Sequence, residues 1–211
     1  MLASVIINAV RFTLMDTAAA TWSAAQLLAN LNAAERKICA LKPTAFTTLA
    51  SLSIAAGVHQ AMPAGATEIF DLYENVVSGR RARLVDRELL DEAYRFWPIA
   101  TQEKDVQEWT QDPRSPIRYD VYPPNDGTGS VRALYGLIPT EIASAATAIN
   151  LGDQYEEALK AFTLAESYAH NSAKQDMVKS DFYDKAGKAA LGISTQGQLG
   201  AAPKAKTPGG A

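Results

Sequence analysis

Between Asp153 and Gly192 the chain runs without a proline, and its apolar positions recur at helical spacing. Tyr155, Ala158, Leu159, Phe162, Ala165 and Ala169 are followed by Met177, Val178, Phe182, Ala186, Ala189 and Ala190. Intervals of three and four place such residues on one face of a 3.6-residue helix. Glu156, Lys160, Glu166 and Lys185 fall on the opposite, solvated face. Asp153 is positioned as an N-cap, with Glu156 three residues on completing a capping-box-like pair. The polar run His170-Asn171-Ser172 interrupts the pattern, so the spacing predicts two helices joined by a turn near Asn171. A helical hairpin of this kind has an apolar stripe that it cannot bury by itself.

The rest of the chain divides by its period. Leu2, Val5, Ile6, Ala9, Val10 and Leu14 form a helical stripe that ends before Asp16-Thr17. Ser23 and Gln26 stand as N-cap and N3 of a second helix, and Trp22 and Leu27 as its hydrophobic staple. Leu28, Leu31, Ala34, Ile38 and Leu41 continue that stripe until Pro43 stops it. The alternation Leu52, Ile54, Ala56, Val58 predicts one strand running into His59-Gln60. Glu68 to Val77 fits either a strand or a short helix, since periodicity alone does not decide between them, with the strand favoured, and Ser78 to Arg83 reads as a basic turn. Asp86 caps a helix carrying Leu89, Leu90, Ala93 and Phe96 that Trp97-Pro98 closes. Residues 99–116 are polar and irregular, with Trp109 the one large apolar anchor. Tyr119 and Val121 alternate with Arg118 and Asp120. After the turn residues Pro123 to Gly127, Val131, Leu134, Gly136 and Ile138 return. That pair predicts a β-hairpin over 117–138 with a long, unanchored tip. Thr140-Glu141 begins another short helical piece.

These elements predict an α+β fold, mainly α, in which a helix bundle carries an inserted β-rich part containing a long hairpin. Residues 1–48 supply the first helices of the bundle and 49–140 the insertion, with one helix at 86–97. Residues 141–192 complete the bundle. Residues 193–211 are rich in Gly, Ala, Pro, Gln and Lys without an aromatic residue, a composition that predicts a flexible tail.

Composition narrows the chemistry. The chain has 211 residues and a formal net charge of −3, a balance that argues against general nucleic-acid binding. A single cysteine, Cys39, excludes an intrachain disulfide framework and fits a reducing compartment. No stretch approaches the roughly 20 apolar residues of a membrane span, and the N-terminal run has no basic leader. A soluble protein made in the cytoplasm is expected.

No catalytic, cofactor or metal motif emerges. His59 and His170 have no second ligand at metal spacing. The neighbours of Cys39, Ile38 and Leu41, argue for burial. Asp86, Glu88, Asp91 and Glu92 offer a possible carboxylate pair, but such spacing is the usual signature of a wet helix face. The candidates are instead surfaces that meet partners. Arg80, Arg81 and Arg83, with Arg87 beyond, form a basic turn able to grip phosphate or a carboxylate-rich surface. A solvated loop balanced by Asp86 and Glu88 is the alternative. Asn125, Asp126 and Gly127 form the hairpin tip, Phe162 and Phe182 stand on the helical stripe, and Lys204 and Lys206 make the tail basic.

Taken in order, several short motifs resemble phage head-to-tail adaptor proteins. They are Trp22-Ser23, Leu31-Asn32 with Glu35 and Ile38, Pro43, Ala56-Gly57 with Gln60, Met62-Pro63, and the Asp86–Pro98 helix. The segment from Asp112-Pro113 through Tyr119-Asp120-Val121-Tyr122-Pro123-Pro124 is similar to the family's strand before its hairpin. Tyr155, Leu164, Tyr168, Phe182 and Leu191-Gly192 resemble its closing helices. The likeness covers roughly residues 1–192 and departs from the family at 170–181. It implies a non-catalytic virion protein of the tail tubular protein A type. Such a protein forms a homo-oligomeric ring, dodecameric in the short-tailed phages, between the portal protein and the tail nozzle or tail tube. DNA passes its channel without sequence-specific binding, and no membrane is involved. A tail-associated cell-wall-degrading enzyme using paired carboxylates, and a helical scaffold or regulatory module, are the alternatives.

Overall fold

A computed structural model describes residues 1–112, 114–170 and 175–193. Among them lie five α-helices and seven strands, a mixed α+β architecture. The chain forms two compact units, one of residues 1–38 with 140–211 and one of residues 39–139.

The first unit is helical. α1 (Ala3–Thr13) and α2 (Ala24–Leu41) come from the start of the chain, and α4 (Glu156–Ala169) and α5 (Met177–Ala190) from its end. α2 starts as its sequence predicts: Ser23 N–H donates to Gln26 Oε1 at 2.9 Å, and Gln26 N–H donates to Ser23 Oγ at 3.2 Å. Trp22 and Leu27 are both buried. The inner face of α1 is Ala3, Ile6, Ile7 and Val10, while Leu2 and Val5 are about half exposed.

Residues 140–152 are not the expected helical piece. They form an irregular segment held by main-chain and side-chain bonds. Ala3 N–H donates to Thr147 O at 3.0 Å, and Ile149 N–H to Met1 O at 2.9 Å. From α2, Asn32 Oδ1 accepts Ile142 N–H at 2.8 Å, and its Nδ2 donates to Ile142 O at 3.2 Å. The fully buried Glu35 carboxylate accepts both Asn150 N–H, at 2.9 Å, and Asn150 Nδ2, at 2.8 Å. These partners satisfy a backbone that makes no helix of its own. Asp153 likewise caps nothing: it takes the Met1 ammonium at 3.1 Å, a 3₁₀ turn over Asp153–Tyr155 precedes α4, and Glu156 pairs with Lys160 at 2.6 Å.

α4 buries Ala158, Leu159, Phe162 and Ala165 as its spacing implies, and Ala161, Thr163, Leu164 and Ser167 besides. α5 does not follow its expected stripe. Met177, Val178 and Phe182 are 61%, 81% and 64% exposed, and the residues it buries are Ser180 and Gly187. The reason is close approach. A Cβ on Gly187 would lie 2.7 Å from Phe162 Cε1, and Ser180 Oγ donates to Ala165 O at 2.9 Å. Small residues let the two helices meet over the Phe162 ring, which turns the large side chains of α5 outward. The expected turn near Asn171 lies outside the described residues. α4 ends at Ala169, and α5 begins at Met177 with Asp176 accepting Lys179 N–H at 3.0 Å.

The second unit is built on two sheets. β1 (Thr47–Ser53), β7 (Ser130–Leu137) and β3 (Ala66–Asn75) form an antiparallel sheet in that order. β2 (Gly57–Ala61), β6 (Arg118–Asn125), β5 (Glu108–Thr110) and β4 (Arg83–Leu84) form the other, with β4 and β5 parallel. The single strand read through 52–58 is therefore two, broken at residues 54–56. Of the segment 68–77, residues 68–75 lie in β3, and Val76 and Val77 belong to the turn that follows. Ile69, Leu72, Trp109, Val121, Val131 and Tyr135 share one buried cluster drawn from both sheets. α3 (Arg87–Ala93) carries the expected cap, Asp86 Oδ1 accepting Glu88 N–H at 3.1 Å.

The expected hairpin is the main difference. β6 pairs with β2 and β5, and β7 with β1 and β3, so the two strands lie in different sheets and residues 126–129 cross between them. An inward-outward alternation suits a strand facing its neighbour in sequence across a core as well as one lying beside it. Pro123 and Pro124 in β6 also lack the N–H groups that a hairpin ladder needs.

These contacts separate the two phenylalanines of the helical pair. Phe162→Ala is expected to lower unfolding stability by about 3–5 kcal/mol, and Gly187→Ala to overpack the same ring at a cost of about 1–3 kcal/mol. Phe182→Ala should stay within about 0.5 kcal/mol of the parent. Urea denaturation of the three variants checks the order, and an equal loss at Phe182 would contradict it.

Candidate docking surfaces

Several of the residues with potential for chemistry have partners within the fold. Asp86 caps α3, and Asp91 Oδ1 accepts Trp97 Nε1–H at 2.7 Å. Both border an open cleft of about 570 Å³ with Glu88 and the Asp112–Arg114 ion pair. His59 Nδ1 lies 2.7 Å from Asp120 Oδ1, a carboxylate that also takes Arg87 at 3.2 Å. His170 Nε2 lies 2.8 Å from Asn30 Oδ1. Cys39 is buried. Among the described residues no cluster of His, Cys, Asp and Glu has the geometry to hold a metal ion. No described helix is long and apolar enough to cross a membrane.

Of the partner-facing candidates, the structure leaves some at the surface and takes others into the core. Arg80 and Arg83 are exposed, and the exposed Arg81 reaches Asp71 only at 4.0 Å. The turn itself is fixed from below by Asn75, whose Nδ2 donates to Arg80 O at 2.9 Å and to Val106 O at 2.7 Å. Phe162 is fully buried. So is Asn125, which corrects the picture of an unanchored tip. Its Nδ2 donates to Lys104 O at 2.8 Å, while its Oδ1 accepts the N–H groups of Gly127, at 2.9 Å, and Gly129, at 3.2 Å. Only Asp126, Gly127 and Thr128 remain exposed. Lys204 and Lys206 lie outside the described residues.

The surface that the sequence did not reveal is in the helical unit. Phe12 and Met15, at the end of α1, are 78% and 92% exposed. Met15 has φ +53°, a left-handed conformation that costs a non-glycine residue about 1–2 kcal/mol. The buried Asp16 carboxylate offsets that cost. It accepts the N–H groups of Ala20 at 2.8 Å, Thr21 at 3.1 Å and Trp22 at 2.8 Å, so the turn between α1 and α2 is built around it. The bond from Trp22 is the largest influence holding the Asp16 pKa below 3.8, against the opposing effect of burial.

Met15 rims a groove of about 550 Å³ whose walls include Leu14, Trp22, Tyr168 and Tyr183 and the polar Gln175, Asp176 and Lys179. An aromatic row runs through it from the interior outward. Trp22 meets Tyr168 edge-on at 6.4 Å, and Tyr168 stacks on Tyr183 at 5.8 Å. Tyr183 in turn meets the exposed Phe182 edge-on at 5.3 Å. Lys179 lies 5.2 Å from the Tyr168 ring centre. Exposed apolar side chains on rigid helices, backed by a packed aromatic row, are what a docking surface offers a partner. The signal available in sequence was the position of Phe12 off the buried face of α1. The exposure of Val178 and Phe182 had no such signal, because their spacing is that of a core stripe.

The lowered Asp16 pKa predicts a direction for acid sensitivity. A carboxylate whose folded pKa lies below its unfolded value stabilises the fold fully above about pH 3.8, and that contribution is lost as pH falls through the folded value. Asp16→Asn should therefore melt below the parent at pH 7, with the gap narrowing as pH falls below about 4. Calorimetric melts from neutral into acid pH check it, and a gap that widens or does not narrow with acidification would refute it.

A family model described as SU10 adaptor protein matches residues 1–207. No curated protein matches the chain.

Proposed function

Since the chain belongs to the SU10 adaptor protein family, a family of phage head-to-tail adaptors, we propose that it forms a ring between the portal and the tail. The observation that carries this reading is the extent of the family match, which takes in nearly the whole chain and therefore both compact units. The assembly is a closed homo-oligomer, dodecameric in keeping with the adaptors it resembles, with the portal protein on one side and the tail nozzle or tail tube on the other. The protein acts by holding its neighbours rather than by catalysis, and two of the four carboxylates considered for an enzyme, Asp86 and Asp91, serve a helix cap and a tryptophan N–H. Its net charge of −3 suits a channel through which DNA passes without being gripped.

In this reading the helical unit supplies the contact between subunits. Met177, Val178 and Phe182 on α5 form an exposed apolar strip beside the Met15 groove, and a head-to-tail contact of this kind closes into a ring when its rotation allows. The exposed Arg80, Arg81 and Arg83 and the tip Asp126–Thr128 are left for the neighbouring components. The segment 194–211, with Lys204 and Lys206, is proposed to dock on the portal.

Native mass measurement of the purified protein, alone and with portal rings, tests the proposal. The expected species is a whole multiple of the 22.6 kDa chain, twelve-fold for a dodecamer, appearing or strengthening when portal is added. Phe182→Asp should leave the melting temperature near that of the parent and abolish the ring. A protein that never exceeds a small oligomer with portal present, or a Phe182→Asp ring as stable as the parent's, would overturn this reading.

A further inference from the structure

Four strands end the two sheets, and three of them are guarded against further pairing. β3 meets β7 with three register shifts and carries Glu68, Asp71 and Glu74. β2 has five residues and a register shift between Gly57 and His59. β4 has two residues, one of them Arg83. Charges, bulges and brevity are the usual ways in which an edge strand is kept from recruiting another chain.

β1 has none of them. Its seven residues, Thr-Thr-Leu-Ala-Ser-Leu-Ser, contain no charge, proline or glycine and pair with β7 in seven unbroken steps. The ladder's alternation tells which groups are free. Leu137 N–H donates to Phe46 O and Ile54 N–H to Gly129 O, so residues 46, 48, 50, 52 and 54 face β7. The N–H and C=O groups of Thr47, Leu49, Ser51 and Ser53 point away from the sheet. These four are the exposed residues of the strand, and among the described residues nothing bonds to them. On its other face, Ala50 and Leu52 pack at the margin of the sheet's buried cluster.

We infer that β1 is the contact strand of a two-fold dimer of the free protein, in which it pairs antiparallel with β1 of a second copy. The strand is its own complement. Turned about Ala50, it sets Thr47 opposite Ser53, Thr48 opposite Leu52 and Leu49 opposite Ser51 of the second copy, with Ala50 on Ala50. No like charges meet, and the core faces of both sheets stay on the same side. The four outward residues of each strand give about eight main-chain hydrogen bonds, and the half-buried Leu52 side chains gain cover across the joint. A foreign strand would need the same neutral alternation, whereas a second copy brings it at equal concentration. The contact is isologous, so it is distinct from the head-to-tail contact of a ring and does not rest on that reading.

Light scattering on the full chain, from low to high micromolar concentration and without portal, tests it. The expected result is a monomer–dimer equilibrium reaching twice 22.6 kDa. Leu49→Pro removes one outward N–H and no bond to β7, and Ser51→Lys places a charge on the edge. Each should weaken dimerisation at least ten-fold with the circular dichroism spectrum and melting temperature unchanged. If Leu49→Pro fails to fold, Ser51→Lys decides alone. A parent that stays monomeric throughout, or a dimer that folded variants retain, overturns the inference. A ring on portal that forms with no dimer in the free protein also counts against β1 alone, and a dimer with no ring counts against the ring alone.

Discussion

Three buried polar residues, Asn30, Asn32 and Glu35, flank the apolar face of α2, and the helical unit depends on them. Glu35 is the decisive residue, a carboxylate almost fully removed from water. Such a group is tolerated only where donors meet both oxygens, and here both come from Asn150. A hydrogen bond to a charged group contributes about 1.5–3 kcal/mol, and leaving the carboxylate unpaired would cost more than the bonds themselves give. Asn32 fixes Ile142 in the same way, and Asn30 meets Ser167 Oγ at 3.0 Å and His170. Because these partners follow the whole of residues 39–139 in sequence, α2 defines where the returning chain must settle. α4 and α5 then pack on a frame already set.

The β unit relies on the same device. Two buried asparagines, Asn75 and Asn125, each use the amide to hold a loop from more than one side. Asn75 fastens the arginine-bearing turn and Val106, and Asn125 fastens the crossing from one sheet to the other. An amide supplies a donor and an acceptor to main chain that no strand pairs, which leaves the tips short and rigid. In both units, turns that no helix or strand pairs are held by buried side chains.

Much of the local structure was legible in the sequence. The capping box at Ser23 and Gln26, the Asp86 cap and the α4 stripe all follow from short-range chemistry. The family resemblance rested on ordered motifs of the same kind. Hydrogen-bond caps and period-3.6 burial act within a few residues, so they leave a readable trace.

What the sequence left undecided was which element faces which. The alternation in 118–137 fits a hairpin and a pair of strands in different sheets equally, and only the occupied edges of β6 and β7 settled it. The stripe Met177, Val178, Phe182 is as good a core pattern as that of α4. Yet Gly187 against Phe162 brings the helices together through small residues, and the large ones face outward. Asn125 reads as a loop residue and is buried, because the groups that satisfy it lie at Lys104 and beyond the turn. Periodicity records that a residue has an inner and an outer side. Close approach between distant segments decides which side is inner, and that distance is set by tertiary packing.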